Sequence, residues 1–389
     1  VVIGNPPYGV SIKGNYRNAV VNALGNVPDY EIYYYFIECA KKLLCEYGIL
    51  SYIIPNTWLF NTYATGYRLQ VVNCWSILEI LDCTKFPIFE SATVLNTIIT
   101  WKKNKISECL NSIGYRNVAN AHSFQQLLNE PKLRLPISDL LQLNQNWGIA
   151  FSRSQDVIRL INKIRNGKTS LIDIFPEVSQ GLIAYDKYRG QSADVIANRV
   201  YHSFEYKAGL KKWLWGEDVK RYEVNWNNQE YIDYCDGIAN PRQPKFFKGK
   251  RLLVREITNP SIFAAITSEE LYNDPAVLIV LDNNGYYPLE VVLAILNSKL
   301  ATFYHFNHSP KATKGAFPKI LVLDIKQFPL PSLNDTIRDQ IVSLVRKRSS
   351  VYDDIMLDFL VYHLYSLTYD EVLIVDPETP ITREEYENS

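Results

Sequence analysis

Hydrophobic spacing divides the chain into segments of different period. Val1-Val2-Ile3 is a β-branched run stopped by Gly4-Asn5-Pro6-Pro7, which predicts a short strand entering a rigid loop. Residues 9–29 show no clear periodicity and carry Gly14-Asn15 and Gly25-Asn26, so a long loop is expected there, poorly ordered and able to act as a lid. From Tyr30 the period becomes helical: Ile32, Tyr35, Phe36, Cys39, Leu43 and Leu44 recur on one face, and Gly48 stops the helix. Ile49–Ile54 predicts a strand ended by Pro55-Asn56, Ala64–Val72 a helix, and Ile77–Asp82 and Val94–Trp101 two further strands. Strand–helix alternation of this kind implies an α/β sheet covered on both faces.

After Trp101 the pattern changes. His122–Glu130 and Ser152–Asn166 read as helices, with Pro131 and Pro136 between them. Residues 170–330 are rich in Tyr and Trp, carry short β-like runs and are punctuated by Gly and Pro, which predicts a mixed, mainly β domain. Within it Leu289, Val292, Leu293, Leu296 and Leu300 mark one helical face after Pro288. Residues 334–370 return to helical periodicity before an acidic tail. The expected layout is an α/β part over 1–145, a mainly β part over 146–332, and a helical segment over 333–389.

Composition sharpens this reading in two places. Lys+Arg and Asp+Glu both number 41, yet seven acids against Arg383 fall in residues 370–389, so the remainder carries an excess of six positive charges. A neutral average therefore leaves room for a basic face. Cys39, Cys45, Cys74, Cys83, Cys109 and Cys235 show no metal-binding or disulfide spacing and are expected to be structural and reduced, with no metal site. No apolar run approaches the ~18 residues of a membrane span, and no signal peptide is visible, so cytoplasmic residence without membrane association is expected. Lacking an initiator Met and opening inside a strand, the sequence reads as the C-terminal part of a longer protein.

The chemistry-bearing tetrapeptide is Asn5-Pro6-Pro7-Tyr8. Two prolines stiffen the turn and remove two donors, leaving carbonyl acceptors. The Asn5 amide oxygen and the Pro6 carbonyl can together grip an amino group, and Tyr8 offers a flat face for a ring. The plain alternatives are a tight turn after a strand or an Asn-Pro-x-Tyr docking turn. Val1-Val2-Ile3-Gly4-Asn5-Pro6-Pro7-Tyr8 resembles motif IV of the S-adenosylmethionine-dependent N6-adenine DNA methyltransferases. Gly48–Leu59 is similar to the next helix–strand motif, and Phe86-Pro87-Ile88-Phe89-Glu90 followed by Val94–Trp101 to the motif VIII hairpin. Trp215–Tyr222, Phe247–Glu256, Val292–Leu300 and Phe317–Pro331 resemble the specificity domain of combined restriction–modification enzymes of type IIG. Val361–Thr368 resembles their helical ending.

The resemblance implies a partial doubly wound methyltransferase sheet followed by a DNA target-recognition domain. It also implies methyl transfer to adenine N6 of a sequence-specific duplex, with the target base flipped out of the stack. Catalytic roles fall on Asn5, Pro6, Pro7 and Tyr8. Stacking falls on Tyr8 and on Phe89, with Phe86 the second choice. The glycine-rich loop and acidic residue that hold S-adenosylmethionine would precede Val1, so this chain alone is expected to bind no cofactor and to be inactive; a nuclease module would belong to the longer parent. For DNA, Arg242, Lys245, Lys248, Lys250, Arg251 and Arg255 form a run without an acid, and Lys311, Lys314 and Lys319 another. Other readings are a protein-glutamine methyltransferase, disfavoured by the long Tyr/Trp-rich extension, and a DNA-binding specificity module without chemistry of its own. An aromatic-rich carbohydrate- or peptide-binding protein is the remaining alternative.

Overall fold

The computed structural model describes the chain except residues 11, 26, 29–30, 87, 90–93, 105–109, 119–120, 143–145, 227–228, 310, 313–316 and 389. It forms two compact units, Val1–Asn162 and Lys163–Ser389.

In the first unit the strands are β1 (Val2–Gly4), β2 (Ile49–Pro55), β3 (Trp75–Asp82), β4 (Asn96–Lys103), β5 (Ser112–Tyr115) and β6 (Leu133–Pro136). They make one sheet in the order β1-β2-β4-β3-β5-β6. β1 and β2 are parallel, as are β3 and β5, whereas β4 lies antiparallel between β2 and β3 and β6 antiparallel to β5. The sheet is therefore mixed, with β3 and β4 paired as neighbours. Helices α1 (Gly14–Leu24), α2 (Ile32–Leu43) and α3 (Thr65–Cys74) fill the early connections.

α1 corrects the expectation of an unstructured stretch over residues 9–29. The half-buried positions of α1 are Arg17, Val20, Val21 and Leu24, an i, i+3, i+4, i+7 series in which an Arg stands where an apolar residue would be looked for. No residue of α1 is fully buried. It is tied to α2 by hydrogen bonds from Arg17 to the Tyr35 hydroxyl and from Lys42 to the Ala23 carbonyl. It closes with Gly25, whose φ of 100° no branched residue adopts cheaply.

The aromatic core of this unit lies behind β2. Trp58 packs edge-on against both Trp101 and Trp147, each at 5.9 Å between ring centroids. Arg68, wholly buried, donates to the carbonyls of Trp58 at 3.0 Å and Asn61 at 2.9 Å and lies 5.4 Å from the Trp147 ring. This clamps the turn that leaves β2.

The second unit is built from small sheets, mostly antiparallel but with Lys211–Leu214 and Tyr272–Asn273 paired in parallel, and a central helix. Strands Ala264–Thr267, Arg251–Arg255, Val277–Leu281 and Val178–Gln180 pair in that order. A second sheet joins Tyr272–Asn273, Lys211–Leu214, Tyr231–Ile232 and His202–Ser203. Every residue of helix Leu289–Asn297 is buried, which explains its near-continuous apolar sequence. The helical period read through Leu300 breaks at Ser298, whose side chain caps a separate helix, Lys299–His308. Asp335–Lys347, Val351–Leu364 and Tyr369–Val375 follow as helices. Among the described residues no helix is long and apolar enough to cross a membrane, and Cys39, Cys45, Cys74, Cys83 and Cys235 are free thiols. Cys109 lies outside the described residues.

Asp358 on the helix Val351–Leu364 is buried and accepts the Lys299 amide at 2.9 Å. Burial pushes its carboxyl up to about 6, with Arg221 and Lys299 opposing and Asp376 reinforcing the rise. The folded-state pKa lies above the unfolded one. Its stabilising contribution is thus fully present below about pH 4 and lost as pH rises through about 6. Asp358→Asn keeps an acceptor for the Lys299 amide without the charge. It is expected to match the wild type in urea at pH 4 and exceed it at pH 8 by up to about 3 kcal/mol. Equal midpoint shifts at both pH values would contradict this assignment.

Candidate active site and DNA-contacting residues

The carboxyl ends of the parallel strands β1, β2 and β3 lie along one edge of the sheet. The reversed strand β4 begins there too, because Asn96 pairs with Pro55 and Thr97 with Asp82. In open α/β sheets ligands bind beyond the carboxyl ends of strands, where loops fan out from a rigid platform. Asn5–Tyr8 is the loop that leaves β1 at this edge. Asn5 and Pro7 are exposed, Pro6 is buried and anchors the turn, and Tyr8 is half-buried. Gly4 allows close approach: a Cβ there would sit 3.1 Å from the Tyr52 ring, which would have to give by a few tenths of an ångström. After Tyr8, Gly9 takes φ +73° and donates its amide to the Glu31 carboxylate at 3.0 Å, which fixes the far side of the turn.

Tyr8 is held from across the sheet. The Asn96 side-chain amide, buried at the start of β4, donates to the Tyr8 hydroxyl at 3.1 Å. The backbone around Asn96 is fixed in turn: its carbonyl accepts the Cys83 amide at 3.1 Å, and the neighbouring Leu95 carbonyl accepts the Asn56 amide at 2.9 Å. Asn96 thus links the loops leaving β1 and β3, and sequence reasoning missed it. An Asn at a strand start carries no local signal, and its partner lies 88 residues away.

Phe86 and Ile88 pack against a satellite core of Leu81, Cys83, Val118, Ala121 and Leu127. Phe89, half-buried, is not part of that cluster. Pro87 and Glu90 lie outside the described residues. Asp82, at the end of β3, is buried, which raises its carboxyl, while the Thr84 amide donates to it at 3.0 Å. The adjacent Cys83 thiol is pushed up to about 12 by burial and by Asp82, so it is an inert packing residue.

In the second unit the basic residues are mostly engaged. Lys245 pairs with Glu177 at 2.8 Å, Lys248 with Glu270 at 3.4 Å, and Lys319 with Glu256 at 2.8 Å. Lys250 meets Asp282 at 3.3 Å and Glu290 at 3.1 Å. Arg255 stacks over Phe263, and Arg242 donates to the Asn240 side chain at 3.2 Å. Arg251 is a correction. It is wholly buried and donates to the carbonyls of Gly249 and Leu271, and burial lowers its pKa to about 10. A phosphate cannot reach it without displacing the strand that carries it, so its place in the basic run is structural. Lys311 is exposed, and Lys314 lies outside the described residues.

Residues 1–89 match the Eco57I restriction-modification methylases, and residues 211–330 match the TaqI-like C-terminal specificity domain. A Methanocaldococcus jannaschii protein that carries the name of a type II restriction enzyme and methyltransferase is 21% identical over 392 residues, covering 94% of this chain and 31% of that protein. Among solved structures, the type IIL restriction-modification enzyme MmeI in complex with DNA superposes with a TM-score of 0.55 at 10% identity, covering 100% of this chain and 57% of that one. The DrdV–DNA complex superposes with 0.51 at 12% identity, covering 89% and 43%. At these identities the two structures establish a shared mixed α/β architecture with several sheets. The chain spans about a third of the curated relative and about half of these structures. In one polypeptide a segment that matches the Eco57I restriction-modification methylases is followed by one that matches the TaqI-like C-terminal specificity domain.

Proposed function

We propose that this chain supplies the adenine-binding half of an N6-adenine DNA methyltransferase together with the domain that selects its target sequence. The observation that carries the reading is the Asn5–Tyr8 turn at the carboxyl edge of the sheet, with Tyr8 braced by Asn96. An amino group presented there would donate to the Asn5 side-chain oxygen and the Pro6 carbonyl. Two acceptors draw the nitrogen lone pair away from the ring and toward the incoming methyl. Tyr8 would hold the flipped base by its face, and Phe89 is the ring left outside the satellite core to close over it. S-adenosylmethionine would supply a methyl group on a sulfonium centre, a good leaving group. On this reading residues 1–145 serve methyl transfer, 146–332 target recognition, and 333–389 support it as a helical brace. Phosphate contacts fall to Arg242, Lys245, Lys248, Lys250, Arg255, Lys311, Lys314 and Lys319, the paired lysines exchanging carboxylate for phosphate.

The described residues fit the acceptor base better than the donor. β1 is an edge strand of the described sheet, with Ile3 79% exposed, and its outer backbone groups are open to a further strand. We read that edge as the seam along which the donor-binding half of the domain pairs. The test is calorimetry with S-adenosylmethionine. This chain alone is expected to give no binding heat up to about 100 μM, and the longer parent enzyme to give a measurable Kd. Micromolar binding by this chain would place the cofactor among the residues described above and overturn the assignment.

A further inference from the structure

Most lysines and arginines of the two basic runs spend their charge on carboxylates or inside the fold. A different segment does not. Lys187, Tyr188 and Arg189 form one short helical turn, all three exposed, with the Tyr188 ring at 85% the most exposed aromatic side chain among the described residues. The Lys187 ammonium lies 4.9 Å from the centre of the Tyr188 ring, and neither Lys187 nor Arg189 has an ion-pair partner among the described residues.

The turn is anchored from below. The Asp186 carboxylate accepts the Tyr188 amide at 2.9 Å, and the Arg189 amide donates to the Asp186 carbonyl at 3.0 Å. Gln191 fastens the base: its side-chain oxygen accepts the Asp186 amide at 2.8 Å, and its amide donates to the carbonyls of Ala184 at 2.9 Å and Gly237 at 2.7 Å. Gly190 turns the chain back at φ 84°, where a side chain would be strained. Beyond the contact of Lys187 with the ring, a turn that holds a large ring in water between two cations without ion-pair partners gains little for the folded chain alone. It is complementary to a polyanion whose charges flank stacked rings.

We infer that Lys187–Arg189 is a DNA-contacting turn in which Lys187 and Arg189 hold phosphates and Tyr188 contacts the bases between them, contributing to sequence choice. This rests on the reading of the chain as a DNA-binding specificity module. It adds a contact outside both basic runs and ahead of residues 211–330, the stretch that matches the specificity domain.

The two roles leave different signatures. The probe is a pool of duplexes of about 30 bp with a randomised centre, bound by the full chain, recovered and sequenced. Salt titration then follows on the most enriched duplex. Wild type is expected to enrich one sequence pattern. Lys187→Ala with Arg189→Ala should keep that pattern and flatten the log–log salt dependence by about 1.8, two phosphates at ~0.9 each. Tyr188→Ala should leave the salt slope unchanged and weaken preference at one or two adjacent positions about 5- to 100-fold; Tyr188→Phe separates ring from hydroxyl. Thermal midpoints within about 2 °C of wild type show that these surface variants are folded. An unchanged pattern in Tyr188→Ala with an unchanged slope in the double variant would overturn the inference while DNA binding stands. Failure of the wild type to bind any duplex at low salt would instead overturn the DNA-binding reading itself.

Discussion

In the intact enzyme, Asn5→Ala is expected to lower methyl transfer about 10²–10³-fold, the usual scale for removing one preorganised polar partner of a reacting group. Duplex affinity should stay within about twofold. The reason is positional. Asn5 is exposed at the tip of the turn leaving β1 and has no burial to lose, while the neighbouring Pro6 anchors the loop. Its removal should therefore leave the fold intact and delete an acceptor needed as nitrogen becomes tetrahedral. Single-turnover methylation with saturating DNA is the appropriate measurement, because it separates the chemical step from binding. A variant with normal single-turnover rates would remove Asn5 from the site.

The second large effect is on stability. Arg68→Ala should destabilise the first unit by about 2–5 kcal/mol, since it strands the buried Trp58 carbonyl, removes a donor from the Asn61 carbonyl and opens a cavity beside the Trp147 ring. Arg68→Lys should rescue little of this, because a compact ammonium lacks the planar face that packs against the Trp147 ring and the second nitrogen that donates to the Thr65 hydroxyl. Urea unfolding followed by tryptophan fluorescence reports it through Trp58, Trp101 and Trp147. A loss below about 1 kcal/mol would mean that the turn after β2 does not depend on the clamp. The effect should reach function too, because that turn leaves β2 at the edge where Asn96 braces Tyr8.

Strands and amphipathic helices of the first 104 residues were largely legible from local pattern, because β-branched runs and i, i+3, i+4 spacing report burial directly. Ile49–Pro55 and Trp75–Asp82 agree with expectation to within two residues at either end. What escaped depends on partners distant in sequence. The reversal of β4 between β2 and β3 leaves no mark in a strand's own residues. α1 was missed because its inward row begins with Arg17, a charged residue whose guanidinium bonds the Tyr35 hydroxyl on α2. The Asn5–Tyr8 turn was visible since its chemistry is contiguous, but Asn96 was not. Charge runs misled most: Arg251 looks like any other cation of its run, and only the fold shows it wholly buried, while the turn at Tyr188 holds two cations, too few to read as a run.

The proposed function has the turn at the end of β1 present an adenine amino group for methylation within a duplex chosen by the second unit. Its most direct test is to incubate the intact enzyme with methyl-labelled S-adenosylmethionine and mixed-sequence duplex DNA, digest to nucleosides, and identify the labelled species by mass spectrometry. Label on N6-methyldeoxyadenosine, at adenines within one recurring sequence and lost in Asn5→Ala, is the expected result. Label on cytosine, or on glutamine of an added protein with none in the DNA, would contradict it.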